Sequence, residues 1–320
     1  MTTSLIPSVA AQFERGEWRI VVTGASGWLG MATLELLHNL LGKAVTSHVA
    51  CFGRNARTLT LPGGQQIAQR PLAELANLPA RPTLLLHYAF LTKEKAEELT
   101  EPAYRAANAE IARVVEEALL TIDARGIFIA SSGAAYFAED PTASAAMRLY
   151  GEMKRDDEDR FATWGTACGR RVVIGRVFNI SGRYINKLGS YALANFVVDA
   201  MAGRPVAVKA PHRVERAMVD VTDVINLLFA ELLASTSGVA RFETGGDAME
   251  LGELAAVVAA ELRARGSVKR APITSARVDR YVGDDTVWQR ACTAHGIQPA
   301  TLLLQIRQTA EFLAETANYP

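Results

Sequence analysis

The chain has few of the features that mark secreted, membrane-spanning or nucleic-acid-binding proteins. Its 320 residues include three scattered cysteines, Cys51, Cys168 and Cys292, without a C-x-x-C pair, so reduced thiols are expected rather than disulfides or zinc. Lys+Arg and Asp+Glu number 34 each, so no net charge favours nucleic acid. No apolar run approaches the ~20 residues of a membrane span, and the N-terminal stretch lacks the pattern of a signal peptide. We therefore expect a cytoplasmic protein with no metal and with neither membrane nor nucleic acid as a partner.

Strand-like and helix-like segments alternate through the first half of the chain. The sequence predicts strands at 19–23, 48–52, 83–88, 126–130 and 171–176, with 65–69 as a further candidate. Helical periods lie at 31–41, 103–120 and 149–164. This alternation predicts an α/β fold with a doubly wound parallel sheet of the Rossmann type. The second half is more mixed. We expect residues 17–180, with 218–245 returning, to form the Rossmann domain, and residues 181–217 and 246–320 to form a smaller, interleaved C-terminal lobe.

Three glycines follow the first predicted strand in VVTGASGWLG, residues 21–30. In a dinucleotide-binding turn such glycines permit the tight turn, the approach of the pyrophosphate and close helix packing, and the helix N–H groups face the phosphates. A glycine-rich turn without a ligand is the alternative, but the strand before it and the helix after it favour the binding site. The predicted cofactor contacts here are Gly24, Ser26, Gly27, Trp28, Leu29 and Gly30.

The end of the second predicted strand bears on the choice between NAD and NADP. NAD enzymes of this type place an acidic side chain on the ribose 2′-hydroxyl, yet no Asp or Glu stands between Glu35 and Glu74. The strand ends in CFGRNAR instead, where Arg54 and Arg57 are suited to a 2′-phosphate. A solvated loop arginine is the alternative for Arg54. The sequence predicts NADP, with NAD the less favoured cofactor.

A tyrosine, a lysine and two serines are candidates for the chemistry. Tyr150 and Lys154 are four residues apart in LYGEMK and share one face of a predicted helix. The ammonium favours the phenolate and so brings a phenol with a pKa of ~10 closer to use as a base. Ser131 and Ser132 end a strand, where hydroxyls at the carboxyl edge of a parallel sheet meet ligands. A chance surface pair, and serines that only begin a turn, are the alternatives.

In their order along the chain these motifs resemble the extended short-chain dehydrogenase/reductase family, of the nucleotide-sugar epimerase/dehydratase type. The resemblance covers nearly the whole chain. It rests on TGASGWLG, LHYAF, AANAEIARVVEEA, IASSGAAY, the Y-x-x-x-K pair, GRVFNISG, RAMVDVTDV and HGIQPATLLLQIRQTAEFL.

The resemblance implies a role for each matching residue. Tyr150 would be the acid/base. Lys154 would lower the pKa of Tyr150 and bind the cofactor ribose, and Ser132 would donate a hydrogen bond to the substrate oxygen. It further implies Asn108 as a catalytic residue, Leu72, Tyr88, Ala89 and Ser131 at the cofactor, and Asn179 and Arg216 at a nucleotide diphosphate. A salt bridge to Asp220 or Asp223 is the alternative for Arg216. We expect His87 to be a structural residue beside the cofactor.

The departures from the family narrow the expected reaction. Sugar 4,6-dehydratases carry an acidic pair directly after the Ser/Thr, whereas Gly133 and Ala134 follow Ser132 here. This argues against a dehydratase. Because no feature marks a reductase, we expect an NADP-dependent epimerase acting at a carbinol or keto carbon of a nucleotide-linked sugar, bound by the C-terminal lobe. An NADPH-dependent ketoreductase of a nucleotide sugar or small carbonyl compound, and a non-catalytic NADP-binding sensor, are the alternatives. The two long helices suggest a homodimer, and KRDDEDR, residues 154–160, is predicted to be a solvated helix face with only Lys154 turned inward.

Overall fold

The computed structural model describes residues 4–317, with side chains through residue 316. Residues up to 177 together with 225–242 form one compact unit, and residues 178–224 together with those from 243 onward form a second. The first three residues of the stretch considered for a signal peptide, and the last three of the predicted C-terminal lobe, lie outside the described residues.

Strands and helices alternate along most of the described chain. The strands are β1 (Arg19–Thr23), β2 (Val49–Gly53), β3 (Arg57–Thr60), β4 (Gln66–Pro71), β5 (Thr83–His87), β6 (Ala124–Ser132), β7 (Arg171–Val177), β8 (Ile180–Ser181), β9 (Val206–Val208), β10 (Arg213–Arg216), β11 (Val219–Asp220), β12 (Gly238–Glu243), β13 (Met249–Glu250), β14 (Val268–Arg270) and β15 (Val278–Tyr281). The α-helices are α1 (Pro7–Glu14), α2 (Trp28–Leu41), α3 (Val45–His48), α4 (Lys93–Glu98), α5 (Glu101–Thr121), α6 (Ala145–Cys168), α7 (Ala192–Met201), α8 (Val221–Leu233), α9 (Leu251–Glu261), α10 (Asp285–Ala294) and α11 (Leu302–Ala317). Short 3-10 helices cover Gly42–Ala44, Leu72–Asn77 and Gly133–Phe137.

The first unit is built on an eight-stranded sheet in the order β12-β7-β6-β5-β1-β2-β4-β3. The neighbours from β4 to β7 in this order pair in parallel, and β3 runs antiparallel to β4. All residues of β1 and β5 are buried, as expected where both faces of a parallel sheet are covered. The predicted doubly wound parallel sheet is confirmed. The strand order reverses between β1 and β5, where such sheets bind ligands beyond the carboxyl ends of their strands.

One large core cluster joins this sheet to the long helices α5 and α6. Val21, Leu85 and Ile127 of the sheet are fully buried together with Val115 of α5 and Phe161 of α6. Their close packing fixes α6 relative to the ends of β5 and β6, because cores of this kind deform little.

The second unit contains shorter strands, and its helices pack around a core of their own. The pairs β8–β11 and β9–β14 and the three-stranded order β13-β10-β15 are its sheets among the described residues. Its core holds Leu193 and Val197 of α7, Leu254 and Val258 of α9, and Ile306 of α11.

None of the described helices combines the length and the apolar character needed to cross a membrane.

Candidate active site

The glycine-rich turn after β1 is possible only because its first glycine lacks a side chain. Gly24 has a φ of +67°, and a Cβ there would lie 2.7 Å from the backbone nitrogen of Ala89. A left-handed conformation and a close backbone approach both favour glycine. The turn therefore lies directly against the segment that follows β5. Gly30 meets a related restriction, since a Cβ there would overlap the carbonyl oxygen of Ala25.

Helix α2 begins at this turn, and its N-cap residue makes no side-chain capping hydrogen bond. Gly27 is the N-cap residue and supplies no side chain to the first turn. Ser26 is exposed and Leu29 partly exposed, whereas Trp28 is buried. The Thr33 hydroxyl, which donates to the Leu29 carbonyl at 2.7 Å, lies 3.1 Å from the hydroxyl of Tyr88. An uncapped helix N-terminus beside a close backbone approach fits the pyrophosphate of a dinucleotide.

The segment after β2 presents arginine and no carboxylate. Arg54 follows β2 and is exposed, as is Arg57 at the start of β3. Gln69 donates from Nε2 to the carbonyl of Asn55 at 2.8 Å, which fixes the short loop that carries Arg54. Leu72, a predicted cofactor contact, packs partly buried against the core.

Lys154 lies inside the protein next to Tyr150. Its Nζ donates to the carbonyl of Ala130 at 2.7 Å, lies 3.6 Å from the centre of the Phe90 ring and 5.8 Å from that of Tyr150. The Phe90 and Tyr150 rings contact edge to face, with centres 5.8 Å apart. Burial lowers the pKa of Lys154 to about 8, against the opposing effect of nearby carboxylates. The sequence did not single out Phe90 individually, although it belongs to the quoted LHYAF motif.

A glycine and two end residues hold the helix of Tyr150 in place. A Cβ on Gly151 would overlap the carbonyl oxygen of Ala134, so α6 packs directly on the 3-10 helix that follows Ser132. The Ser132 hydroxyl accepts the N–H of Ala134 at 3.2 Å. Ser144 caps the start of α6, and Gly169 ends it in a left-handed conformation, as is common at helix C-termini.

The prediction that KRDDEDR is a solvated face is wrong for two of its residues. Asp157 and Glu158 are 4% and 3% exposed, whereas Asp156, Asp159 and Arg160 are exposed. The reason is helical spacing: residues three and four positions after Lys154 lie on the face that Lys154 shares with Tyr150. That spacing is the feature of the sequence from which the burial of Asp157 and Glu158 could have been predicted.

Glu158 links the two strands at this end of the sheet. Arg176 of β7 donates to it from Nε at 2.9 Å and from Nη2 at 2.8 Å. Ser131, a predicted cofactor contact, donates its hydroxyl to the same carboxylate. Arg176 lies 4.6 Å over the ring of Tyr136. The end of β6, α6 and β7 are thereby connected through one buried carboxylate.

Asn108 and His87 are both engaged by neighbouring groups. The Asn108 Oδ1 accepts the N–H of Leu91 at 2.9 Å, and Nδ2 donates to the Tyr104 carbonyl at 3.2 Å. Asn108 thus orders the segment after β5. His87 lies 2.9 Å from the hydroxyl of Thr23 through Nδ1, and burial lowers its pKa to about 3, which keeps the imidazole neutral.

The two residues predicted to contact a nucleotide diphosphate belong to the second unit. Asn179 donates from Nδ2 to the carbonyl of Tyr281 at 2.9 Å. Arg216 pairs with Asp279, at 3.2 Å from each carboxylate oxygen. The alternative of a salt bridge from Arg216 to Asp220 or Asp223 is wrong. Strands β10 and β15 pair in a register that places Arg216 opposite Tyr281, two residues from Asp279 on the same strand.

Comparison with known proteins agrees with this architecture. The model of the NAD dependent epimerase/dehydratase family matches residues 20–243. No curated protein sequence matches the chain.

Several solved structures share the fold at low sequence identity. MoeE5 in complex with UDP-glucose and NAD is 19% identical with a TM-score of 0.72, over 94% of this chain and 100% of that one. A UDP-glucose 4-epimerase of Thermus thermophilus, in complex with NAD, is 21% identical with a TM-score of 0.68, over 92% and 99%. A UDP-N-acetylglucosamine 4-epimerase of Methanobrevibacter ruminantium is 16% identical with a TM-score of 0.69, over 93% and 98%.

The family match covers more than half of the chain and agrees with a glycine-rich turn and a Tyr–Lys helix on a parallel sheet. The chain belongs to the NAD dependent epimerase/dehydratase family of enzymes, and the resemblance stated from the sequence is confirmed.

Proposed function

We propose that the chain is an NADP-dependent epimerase that acts at a carbinol or keto carbon of a nucleotide-linked sugar. The observation that carries this proposal is the buried Lys154 ammonium, held by the Ala130 carbonyl at 2.7 Å and 5.8 Å from the ring of Tyr150. An ammonium in a site of low dielectric stabilises a neighbouring phenolate more strongly than it would in water.

Three side chains perform the proposed proton chemistry. Tyr150 removes the proton of the sugar hydroxyl and returns it, Lys154 stabilises the phenolate, and Ser132 donates a hydrogen bond to the same substrate oxygen. A nicotinamide dinucleotide, when bound, accepts the hydride from the carbon and gives it back. Asn108 contributes by position, because its amide is occupied by the backbone of the segment after β5.

The residues of the first unit fit such a dinucleotide. The N-terminus of α2 and the turn at Gly24 suit its pyrophosphate, and Lys154 suits a ribose hydroxyl. Tyr88 and Ala89 form the segment that Gly24 approaches. The Ser131 hydroxyl donates its hydrogen bond to Glu158, so its part at the cofactor is limited to accepting a hydrogen bond.

The preference for NADP rests on Arg54. An exposed guanidinium, in a segment free of carboxylates, suits a 2′-phosphate that an acidic side chain would repel. Two of the similar structures were solved with NAD, so the comparison leaves this choice to experiment. Arg54→Ala should weaken the binding of NADPH and leave that of NADH unchanged. Equal weakening of both, or of neither, contradicts the preference.

The second unit is the proposed substrate-binding lobe, with Arg216 and Asn179 at the diphosphate. Calorimetric titration with a panel of nucleoside diphosphates tests this directly and also reports the base. Arg216→Ala should weaken the binding of the preferred diphosphate. Exposed Arg277→Ala is the matched control and should leave it unchanged.

A homodimer through the outer faces of α5 and α6 is part of the same proposal. These faces carry the exposed Leu120 and the ion pairs Arg105–Glu152 and Arg160–Glu116. Light scattering after size-exclusion chromatography measures the mass, and Leu120→Glu should convert a dimer into a monomer. A monomeric wild-type protein contradicts this part.

The deciding experiment combines the identity of the bound nucleotide with one substitution. Denaturing the purified protein and analysing the released nucleotide by mass spectrometry should yield NADP(H), since an epimerase regenerates its cofactor in each cycle. An empty protein would favour the ketoreductase. Tyr150→Phe should lower turnover by about 10²–10⁴-fold with cofactor binding intact. Unchanged turnover would contradict the assignment of Tyr150.

A further inference from the structure

The helix that carries Tyr150 also carries two buried carboxylates outside the proposed proton chemistry. Asp157 and Glu158 follow Lys154 by three and four residues and are 4% and 3% exposed. Both therefore lie one helical turn after Lys154 on the inward face of α6. A buried carboxylate is costly unless positive charge or hydrogen-bond donors compensate it.

Glu158 is compensated by partners of its own. The guanidinium of Arg176 binds it through two nitrogens, at 2.9 and 2.8 Å, and the Ser131 hydroxyl donates to it as well. A bidentate, charge-assisted pair of this kind neutralises a carboxylate locally. Glu158 therefore acts on Lys154 less strongly than Asp157 does.

Asp157 has no arginine bound to it in this way within the part of the chain that the structure describes. Arg160, one turn further along α6, forms its ion pair with Glu116 at 2.9 Å. Arg155 pairs with Glu139 at 2.8 Å. Among the charged groups, Lys154 is the one that most strongly lowers the pKa of Asp157 against the effect of burial. Asp157 in turn is the group that most strongly raises the pKa of Lys154 against burial.

We propose that Asp157 is a positioning residue, the buried counter-ion that keeps the ammonium of Lys154 protonated between the Ala130 carbonyl and the Phe90 ring. The effect of Asp157 on turnover rests on the proposed function, in which a protonated Lys154 stabilises the Tyr150 phenolate. The electrostatic effect of Asp157 and Lys154 on each other does not depend on the substrate.

Further titratable and charged groups lie on α6 and on the elements packed against this part of it. His87 of β5 is neutral, because its pKa is lowered to about 3 by burial and by Lys154. Burial raises the pKa of Tyr104 of α5, which therefore stays neutral. Arg176 of β7 remains charged and paired with Glu158. Glu94 of α4 acts on Tyr104, and Asp156 and Arg160 of α6 are exposed.

The proposal can be tested by following the ionisation of Lys154 itself. The chain has seven lysines, so selective ¹³C labelling at the lysine ε-carbon gives a simple spectrum, in which Lys154→Arg identifies the Lys154 signal. In the wild-type chain this signal should titrate with a midpoint near pH 8. It should also show a smaller step near pH 6, where Asp157 takes up its proton.

Substitution of the carboxylate should change both features. Asp157→Asn keeps the shape of the side chain and removes the charge, and should lower the Lys154 midpoint by about one pH unit and abolish the step near pH 6. Asp157→Glu retains a carboxylate and should restore a midpoint close to that of the wild type. Asp156→Asn, on the exposed face one residue away, is the matched control and should move the midpoint by less than ~0.3 units.

Either of two results would overturn the proposal. One is a Lys154 midpoint that Asp157→Asn moves no further than Asp156→Asn does. The other is a wild-type titration with no step near pH 6, which decides the matter even if Asp157→Asn does not fold. Turnover that survives Tyr150→Phe would instead refute the proposed function and would leave this titration as it is.

Discussion

Replacing Lys154 by methionine should make the nucleotide-free protein more stable at neutral pH while removing its activity. Methionine keeps the length of the side chain and suits an apolar site. Lys154 is 5% exposed, and its pKa is lowered from an ordinary 10.5 to about 8. At about 1.4 kcal/mol per pH unit, keeping this ammonium buried and charged costs the folded state about 3 kcal/mol.

Asp157 reduces the expected gain. Without the ammonium, the pKa of Asp157 rises above the value of about 6 that it has beside Lys154. The added cost near pH 7 stays below ~1.4 kcal/mol, because the carboxyl takes up a proton once its pKa passes the pH of the solution. The free energy of unfolding of Lys154→Met should therefore exceed that of the wild type by about 2 kcal/mol.

The pH dependence gives the sign of the effect a separate check. The folded pKa of Lys154 lies below the unfolded value, so the unfolded chain binds more protons between pH 8 and 10.5. The wild type gains stability as the pH rises through this window. The advantage of Lys154→Met should be complete near pH 7 and should shrink steadily above pH 8.

Urea unfolding of both proteins, followed by circular dichroism near pH 7 and near pH 9.5, measures these differences. Exposed Lys43→Met is the matched control and should change the free energy of unfolding by less than ~0.5 kcal/mol. If Lys154→Met is less stable than the wild type near pH 7, or more stable by the same amount at both pH values, the reasoning about the buried ammonium is wrong.

Three further predictions follow from individual side chains. Gly24→Ala should weaken dinucleotide binding at least ~tenfold in a fluorescence titration, because a Cβ at a φ of +67° collides with the backbone after β5; unchanged binding would contradict the turn geometry. Glu158→Gln should lower the free energy of unfolding, measured in urea, by about 2–3 kcal/mol, because it leaves the guanidinium of Arg176 without its carboxylate. A loss below ~0.5 kcal/mol would show that this pair contributes little to stability. Iodoacetamide near pH 8 should modify the partly exposed Cys168 before Cys51, whose pKa burial raises to about 12; peptide mass spectrometry reads the order, and faster labelling of Cys51 would contradict it.

The parallel sheet could be predicted because its strands are buried on both faces. Arg19–Thr23 and Thr83–His87 are fully buried and read as continuous apolar runs. β3 was not predicted, because it is an antiparallel edge strand whose sequence RTLT buries only Leu59. The two-residue strands β8 and β11 carry too little pattern to be predicted.

In the candidate site, contacts between residues close in sequence could also be predicted, whereas contacts between distant segments could not. Tyr150 and Lys154 could be paired from sequence, because four residues on a helix fix their relation. The pair of Glu158 with Arg176 requires β7 to lie beside β6, and that of Arg216 with Asp279 joins residues 63 positions apart. Neither pair leaves a mark in the local sequence. Both depend on which strands become neighbours in the folded chain.

The residues of the proposed chemistry lie along two turns of α6. This placement limits where residues can be inserted into the chain. An inserted residue between Tyr150 and Glu158 would turn everything after it by ~100° about the helix axis. Before Lys154 it would separate the phenol from its lysine, and after Lys154 it would separate the lysine from its carboxylates. Residues 139–144, between the 3-10 helix and the Ser144 cap, are mostly exposed, and insertions there leave the helix register intact. Relatives that differ in substrate should therefore vary in length at residues 139–144 and keep the interval from 150 to 158 constant.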